Sequence, residues 1–340
     1  MALFSEIVYK DLNTDLIKRI ISQYDIGDLA KWWGMPAGWQ NFNLHIVTTG
    51  GDFVLRIYRH QARSLDDIKF ELAVLDHLAA KGLPVANAIA TRFGEKVIEE
   101  KVGEISPFFA LFAHIRGEHV SPQTKELIVQ MANCLADLHK GLEDLKISGN
   151  RRKFQIKYEL LKTRKKILTR SKARPWGYSR IIKFNKFLQL VEEDLKNLLK
   201  ISKDYKQALE KQSIIHGDFH SGNLRFENGE ISGIFDFDNM MFAPRVYDLA
   251  ILIGNLYLQN KVGLELDNMI LVVEESYGKY FKLENIEKKL LLKLIHFWFY
   301  KQMAWTLKEI TNPILDQLYS VNFKRLIIGI GEVHNLEDKP

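Results

Sequence analysis

At 340 residues, with 46% of them apolar, the chain has enough core-forming material for two domains or one large bilobal one, which excludes a disordered or fibrous protein. A net charge of +6 allows an anionic partner but does not by itself require nucleic acid or a membrane surface. The single cysteine, Cys134, excludes an internal disulfide and fits a reducing, cytoplasmic setting.

The first segment, MALFSEIVYKDLNTDL, carries acidic residues early and no apolar run before a small-residue cleavage site, so no secretory leader is expected. Ile7, Leu12, Leu16, Ile20 and Ile21 form a stripe that predicts an amphipathic helix over residues 3–24. From Asp25 the pattern turns to strands. Phe42, Leu44 and Ile46 alternate with Asn43 and His45, Gly50-Gly51 marks a turn, and Phe53 to Tyr58 alternate again. In FVLRIYR, Val54, Arg56 and Tyr58 share one face. The next helix, Leu65 to Lys81, puts Ile68, Glu71, Leu75 and Leu78 on one stripe. Glu71 is then a carboxylate on an apolar face, either solvated at its rim or buried against a cation, for which Arg56 is the candidate.

After Gly82-Leu83-Pro84 come short strands through Thr91 and Glu100, then a buried strand from Phe108 to Ile115. The helical period takes over from Thr124 to Leu142 and continues, with a break at Pro175–Gly177, to Tyr205. Between Arg151 and Arg174, eleven basic residues face one acid, Glu159. They read as a solvated helix face, or as a patch for an anionic partner. Late helices are expected at Tyr247–Leu258, Leu264–Tyr277, Ile286–Ile310 and Pro313–Ile330. The apolar stretch Leu290 to Trp305 is broken by Lys293, His296 and Lys301, which suits a buried amphipathic helix and not a membrane span.

The chemistry-bearing span is IIHGDFHSGNLRFENGEISGIFDFDNMMFAPRVYDLAIL, Ile214 to Leu252. Asp218 is followed five positions later by Asn223 and thirteen after that by Asp236. Phosphoryl transfer needs one carboxylate to take the acceptor proton and hard oxygen ligands to hold Mg²⁺. Leu224–Phe226 and Ile231–Phe235 read as two strands joined at Asn228-Gly229, which folds the oxygen ligands Asn223 and Asp236 back toward each other. His216, Asp218 and His220 alternate as a metal cluster would, but no further His/Cys set of zinc-like spacing lies nearby. Loop aspartates also serve as turn and cap residues, a reading that suits any one of these but not the ordered set.

In HGDFHSGN and IFDFD the chain resembles the aminoglycoside phosphotransferase and choline kinase superfamily, its homoserine-kinase type II-like branch in particular. The resemblance implies ATP- and Mg²⁺-dependent phosphorylation of a small-molecule hydroxyl on an α+β, protein-kinase-like bilobal fold. A small antiparallel-sheet nucleotide-binding lobe would span 1–115 and a larger, mainly helical catalytic and substrate-binding lobe 116–340. Under it Asp218 is the catalytic carboxylate, Asn223 and Asp236 are the metal ligands, and His216 and Asp248 support the loop, Asp248 being equally readable as an N-cap. AGWQNFN falls where relatives cover the ATP phosphates. Only Gly38 is present there, and Gly38, Asn41 and Asn43 suit an ordinary hairpin as well. Arg56 stands where such folds present a Lys to the phosphates, Val54 would cover the adenine, and the backbone near Ala113 and Ile115 would pair with the base.

Only ten residues separate Asp236 from Tyr247, too few for a peptide-docking activation segment. The basic balance disfavours polycationic aminoglycosides, so a homoserine-like amino alcohol is the expected acceptor. An aminoglycoside phosphotransferase and a bacterial stress-response Ser/Thr protein kinase on the same fold are the alternatives. His220, Asp238, Trp298, Gln302 and Trp305 are the candidate acceptor-pocket residues, the last three recurring at one-turn spacing as core residues also do. No nucleic-acid or membrane partner is expected, and the chain is read as a monomer or homodimer.

Overall fold

Alternation around Gly50-Gly51 becomes, in the computed structural model, a meander of antiparallel strands. The structure describes residues 11–35, 41–59, 63–121, 124–147, 151–172, 189–259, 262–309 and 316–337. Gly38, Ile7 and the Pro175–Gly177 break lie outside them. The chain divides into two compact units, one of residues 1–119, 141–151 and 224–238, the other of 120–140, 152–223 and 239–340.

In the first unit, β1 (Leu29–Gly34), β2 (Phe42–Thr48), β3 (Gly51–Ile57), β4 (Ala88–Ile89), β5 (Ile98–Glu99) and β6 (Phe108–Ala113) form one sheet in the order β1-β2-β3-β6-β4, with β5 also on β6. Every pairing is antiparallel. Phe42, Leu44, Ile46, Leu55 and Ile57 turn inward to a core shared with Leu16, Ile17, Ile20 and Ile21 of α1 (Thr14–Ile21). Residues 3–10 of the helix predicted over 3–24 lie outside the described residues, Asp11 is helical, and the helical run is interrupted before Thr14. Asn13 is extended and accepts from the Leu16 N–H at 2.9 Å, a cap that breaks helical continuity with the preceding residues. Helix α2 (Leu65–Ala80) opens on a reciprocal Ser64–Asp67 capping box and buries Glu71 among its apolar residues.

The hairpin β8 (Leu224–Glu227) and β9 (Glu230–Ile234) turns at Asn228 and Gly229, whose φ angles of 53° and 84° are the left-handed pair of a two-residue turn. Bridges Val85–Ile234 and Glu118–Phe226 attach it to the first unit.

The second unit is mainly helical. It holds α3 (Lys125–Gly141), α4 (Ile156–Lys172), helical residues 189–198, the short α5 (Ile201–Asp204) and α6 (Lys206–Glu210), then α7 (Val246–Gln259), α8 (Leu266–Tyr277), α9 (Asn285–Glu309) and α10 (Asp316–Glu337). β7 (Ser213–Ile215) pairs with β10 (Met241–Ala243). Helix α7 is apolar all round and correspondingly buried, and α9 packs on α7, α10 and α4. No helix among the described residues is long and apolar enough to cross a membrane.

Close approach of α7 and α9 depends on Gly254, where an added Cβ would stand 2.2 Å from the Trp298 ring. Gly254→Ala is expected to destabilise the protein by about 1–3 kcal/mol through overpacking, read as a lower urea midpoint. An unchanged midpoint would show that the helices can part freely.

Candidate active site

In the first unit, β3 presents Arg56 between Asn43 of β2 and Ala110 of β6. Its Nη1 donates to Glu71 Oε1 at 2.9 Å, and its Nε to Asn43 Oδ1 at 3.4 Å. The two side chains are 15% and 1% exposed, so Glu71 is a buried partner and not a solvated rim residue. Burial pushes the Glu71 carboxyl up to about 7, against the opposing pull of Arg56. Its Oε2 has no hydrogen-bond partner.

Asp238 belongs to the same network. Its Oδ2 accepts from Asn41 Nδ2 at 2.5 Å, its Oδ1 faces Arg63 Nη2 at 3.5 Å, and Arg63 also donates to its backbone oxygen. It is 4% exposed. Asp238 thus braces the segments carrying Asn41 and Arg63 within this unit. One N–H of the Asn41 amide is engaged by Asp238 and its second is left over, whereas Asn43 lends Arg56 only its oxygen. Arg151, read in sequence as part of a solvated basic run, is 7% exposed and donates to the Asp67 carbonyl at 3.3 Å. Asp236 has a φ of 60°, left-handed for a non-glycine residue, at the turn following β9. Of the proposed base-binding residues, Val54 is half-buried on β3, and the N–H groups of Ala113 and His114 donate to Asn87 and Asp52 carbonyls at 3.3 and 3.2 Å, with Ile115 following.

The second unit builds the loop carrying Asp218. Asp248, in the first turn of α7 and 0% exposed, accepts from the backbone N–H groups of His216 and Gly217, each at 2.8 Å. Gly217 has a φ of 78°, and a Cβ there would meet the Asn239 oxygen at 2.2 Å, so only glycine fits. His139 Nε2 lies 3.1 Å from the same carboxylate and its Nδ1 2.8 Å from Tyr277 Oη. Burial lowers the His139 pKa, opposed by its hydrogen bond to Asp248, so a neutral ring relays Asp248 to Tyr277. His216 is itself fully buried, edge-on to Phe219.

Asn239 Nδ2 donates to Asp218 Oδ2 at 3.2 Å, and Asn223 Nδ2 donates to the Asp218 carbonyl at 2.8 Å. The second contact uses the nitrogen of the Asn223 amide and leaves its oxygen as the ligating end, which fits a hard cation. His220 receives the Gly222 N–H at 3.0 Å and stands 3.7 Å from Asp218 Oδ1, shaping the loop. Lys301 on α9 is half-buried and donates to Tyr247 Oη at 3.2 Å. Burial opposes its charge, but Tyr247 and Asp218 raise its pKa above the ordinary lysine value. Trp298 is 1% exposed against Gly254, so it fills the core and offers no face to a ligand. Gln302 is half-buried and Trp305 39% exposed, so the three do not line one surface.

Sequence reasoning missed Asn239, His139, Arg63 and Lys301. Only Lys301 left a signal, as a charge interrupting an apolar helix.

A model of the phosphotransferase enzyme family matches residues 32–279. The chain is 27% identical over 244 residues to a homoserine kinase of Bartonella henselae, covering 72% of this chain and 70% of that one. Among solved structures, an amicoumacin kinase in complex with AMP-PNP and Ca²⁺ superimposes with a TM-score of 0.69 at 17% identity, over 97% of this chain and 96% of that one. A microcompartment-associated aminopropanol kinase gives 0.65 at 16% identity, over 94% and 95%.

The Glu71 carboxyl generates a pH test. Its folded pKa is raised, so its stabilising contribution is present below the unfolded carboxyl pKa and is lost as pH rises through the folded value. The stability of the wild type relative to Glu71→Gln is expected to fall between about pH 5 and about pH 8 in urea unfolding. A pH-independent difference would mean that Arg56 holds Glu71 ionised throughout.

Proposed function

The chain belongs to the phosphotransferase enzyme family, and from that premise we propose that it moves the γ-phosphoryl group of Mg·ATP to the hydroxyl of a small zwitterionic metabolite, a homoserine-like hydroxy amino acid. The observation that carries this reading is the Asp218 loop, its carboxylate held by Asn239 and its backbone by Asp248.

Asp218 takes the acceptor's hydroxyl proton. Asn239 donates to Oδ2, which leaves Oδ1 the freer oxygen to receive that proton. Arg56, oriented by Glu71 and Asn43, binds phosphate oxygens, where its planar fork serves in place of a lysine. Val54 covers the base, and Ile115 is the hinge residue whose N–H is left for it, since Ala113 and His114 are engaged. Asn223 and Asp236 would hold Mg²⁺, which when bound neutralises charge on the phosphate oxygens.

The acceptor class rests on Lys301. Among the described residues no carboxylate lies within ion-pair distance of its half-buried ammonium, whose contact is the Tyr247 hydroxyl. A part-buried cation whose nearby carboxylate, Asp218, stands beyond ion-pair distance favours a ligand that brings one into contact. The acceptor's carboxylate suits that position, and its hydroxyl then meets Asp218.

Two measurements test this. Asp218→Asn is expected to keep Mg·ATP binding by calorimetry and lose about 10²–10⁴-fold in kcat. Lys301→Met is expected to raise KM for homoserine by roughly tenfold to a hundredfold, the worth of a charged hydrogen bond, with KM for ATP unchanged. ADP release with aminoglycosides or protein substrates, and none with hydroxy amino acids, would overturn the acceptor class.

A further inference from the structure

Three helical segments of the second unit bring metal-ligating side chains together outside the residues assigned to phosphoryl transfer. Asp194 in the helical residues 189–198, His296 on α9 and His334 on α10 offer ligand atoms that all lie within 4.8 Å of one another. His334 Nε2 is 2.8 Å from Asp194 Oδ2, and His296 Nε2 is 3.6 Å from the same oxygen.

His296 is the informative member. It is 2% exposed, and its Nε2 has no hydrogen-bond partner. Its Nδ1 faces Glu337 Oε1 at 3.4 Å, and Glu337 is held in turn by Lys293 Nζ at 2.8 Å. A ring that donates Nδ1–H to Glu337 carries its lone pair on Nε2, aimed at a carboxylate oxygen. A neutral ring sets two acceptors 3.6 Å apart, and either a metal ion or a second proton on the ring, which Asp194 and Glu337 favour, reconciles them.

The outer contacts are those that ligand sets use. A carboxylate stands behind the buried histidine, and the Tyr300 hydroxyl donates to Asp194 Oδ2. Donors bound tetrahedrally at about 2.1 Å stand roughly 3.4 Å from one another, and the 2.8 and 3.6 Å separations bracket that value. Two imidazoles with one carboxylate suit a borderline cation and not Mg²⁺ or Ca²⁺, which take oxygen sets. His334 is 42% exposed and gives the ion a way in.

We propose that Asp194, His296 and His334 form a site for one divalent transition cation of the zinc class, with a solvent-facing fourth position. The ion fastens residues 189–198 to α9 and α10, and it is separate from the cation that accompanies the nucleotide.

The test uses the full chain, stripped with a chelator and titrated with Zn²⁺ and Co²⁺ without nucleotide. One equivalent is expected, with a tetrahedral Co²⁺ absorption band and a melting temperature that rises with free metal. His334→Gln, at a half-exposed position, is expected to abolish the band, and Asp194→Asn to do the same. Asp236→Asn is expected to keep it. Absence of binding, binding unchanged in both His334→Gln and Asp194→Asn, or loss of the band in Asp236→Asn would each overturn the site, the first leaving a proton on His296 as the cation.

Discussion

A carboxylate removed from solvent is costly unless its oxygens are hydrogen-bonded, and Asp248 is where that cost organises the second unit. Its two oxygens gather the backbone N–H groups of His216 and Gly217 and the ring of His139. One charge thereby ties the start of α7, the loop leading to Asp218, helix α3 and, through Tyr277, helix α8. The left-handed Gly217 brings that loop flush against the segment carrying Asn239. Asp218 is thus oriented from its backbone by Asp248 and from its carboxylate by Asn239.

The first unit meets the same constraint differently. Glu71 and Asp238 are both buried, and three guanidinium groups, Arg56, Arg63 and Arg151, supply positive charge around them. Arginine at position 56 has a geometric reason. Its fork reaches Asn43 through Nε and Glu71 through Nη1 while its plane lies 5.0 Å from the Phe112 ring centroid, which an ammonium cannot do from one nitrogen.

The net charge of +6 conceals unlike environments. Arg151 is buried in the first unit, Arg152 pairs with Glu159, and Lys166 has its pKa lowered by burial and by neighbouring cations, Lys162 foremost. Lys301, half-buried against the Tyr247 hydroxyl, lies outside the basic run altogether. A count of charges therefore says little about where each charge sits.

What the sequence by itself determined is whatever depends on neighbours a few residues apart. Alternation in β2, the Asn228-Gly229 turn, the stripe that buries Glu71 and the ordered Asp218, Asn223, Asp236 set are of this kind, because strand pleat, helical turn and two-residue loops are local geometry. The interruption at Asn13 was not legible, since an N-cap decided it, and the core reading of Trp298 needed a glycine on a facing helix to be decided. Tertiary structure alone joined His139 to Asp248 across 109 positions, His334 to Asp194 across 140 and Arg63 to Asp238 across 175. Such contacts carry no periodicity, because they follow from which buried polar atoms are left over once the helices and strands have packed.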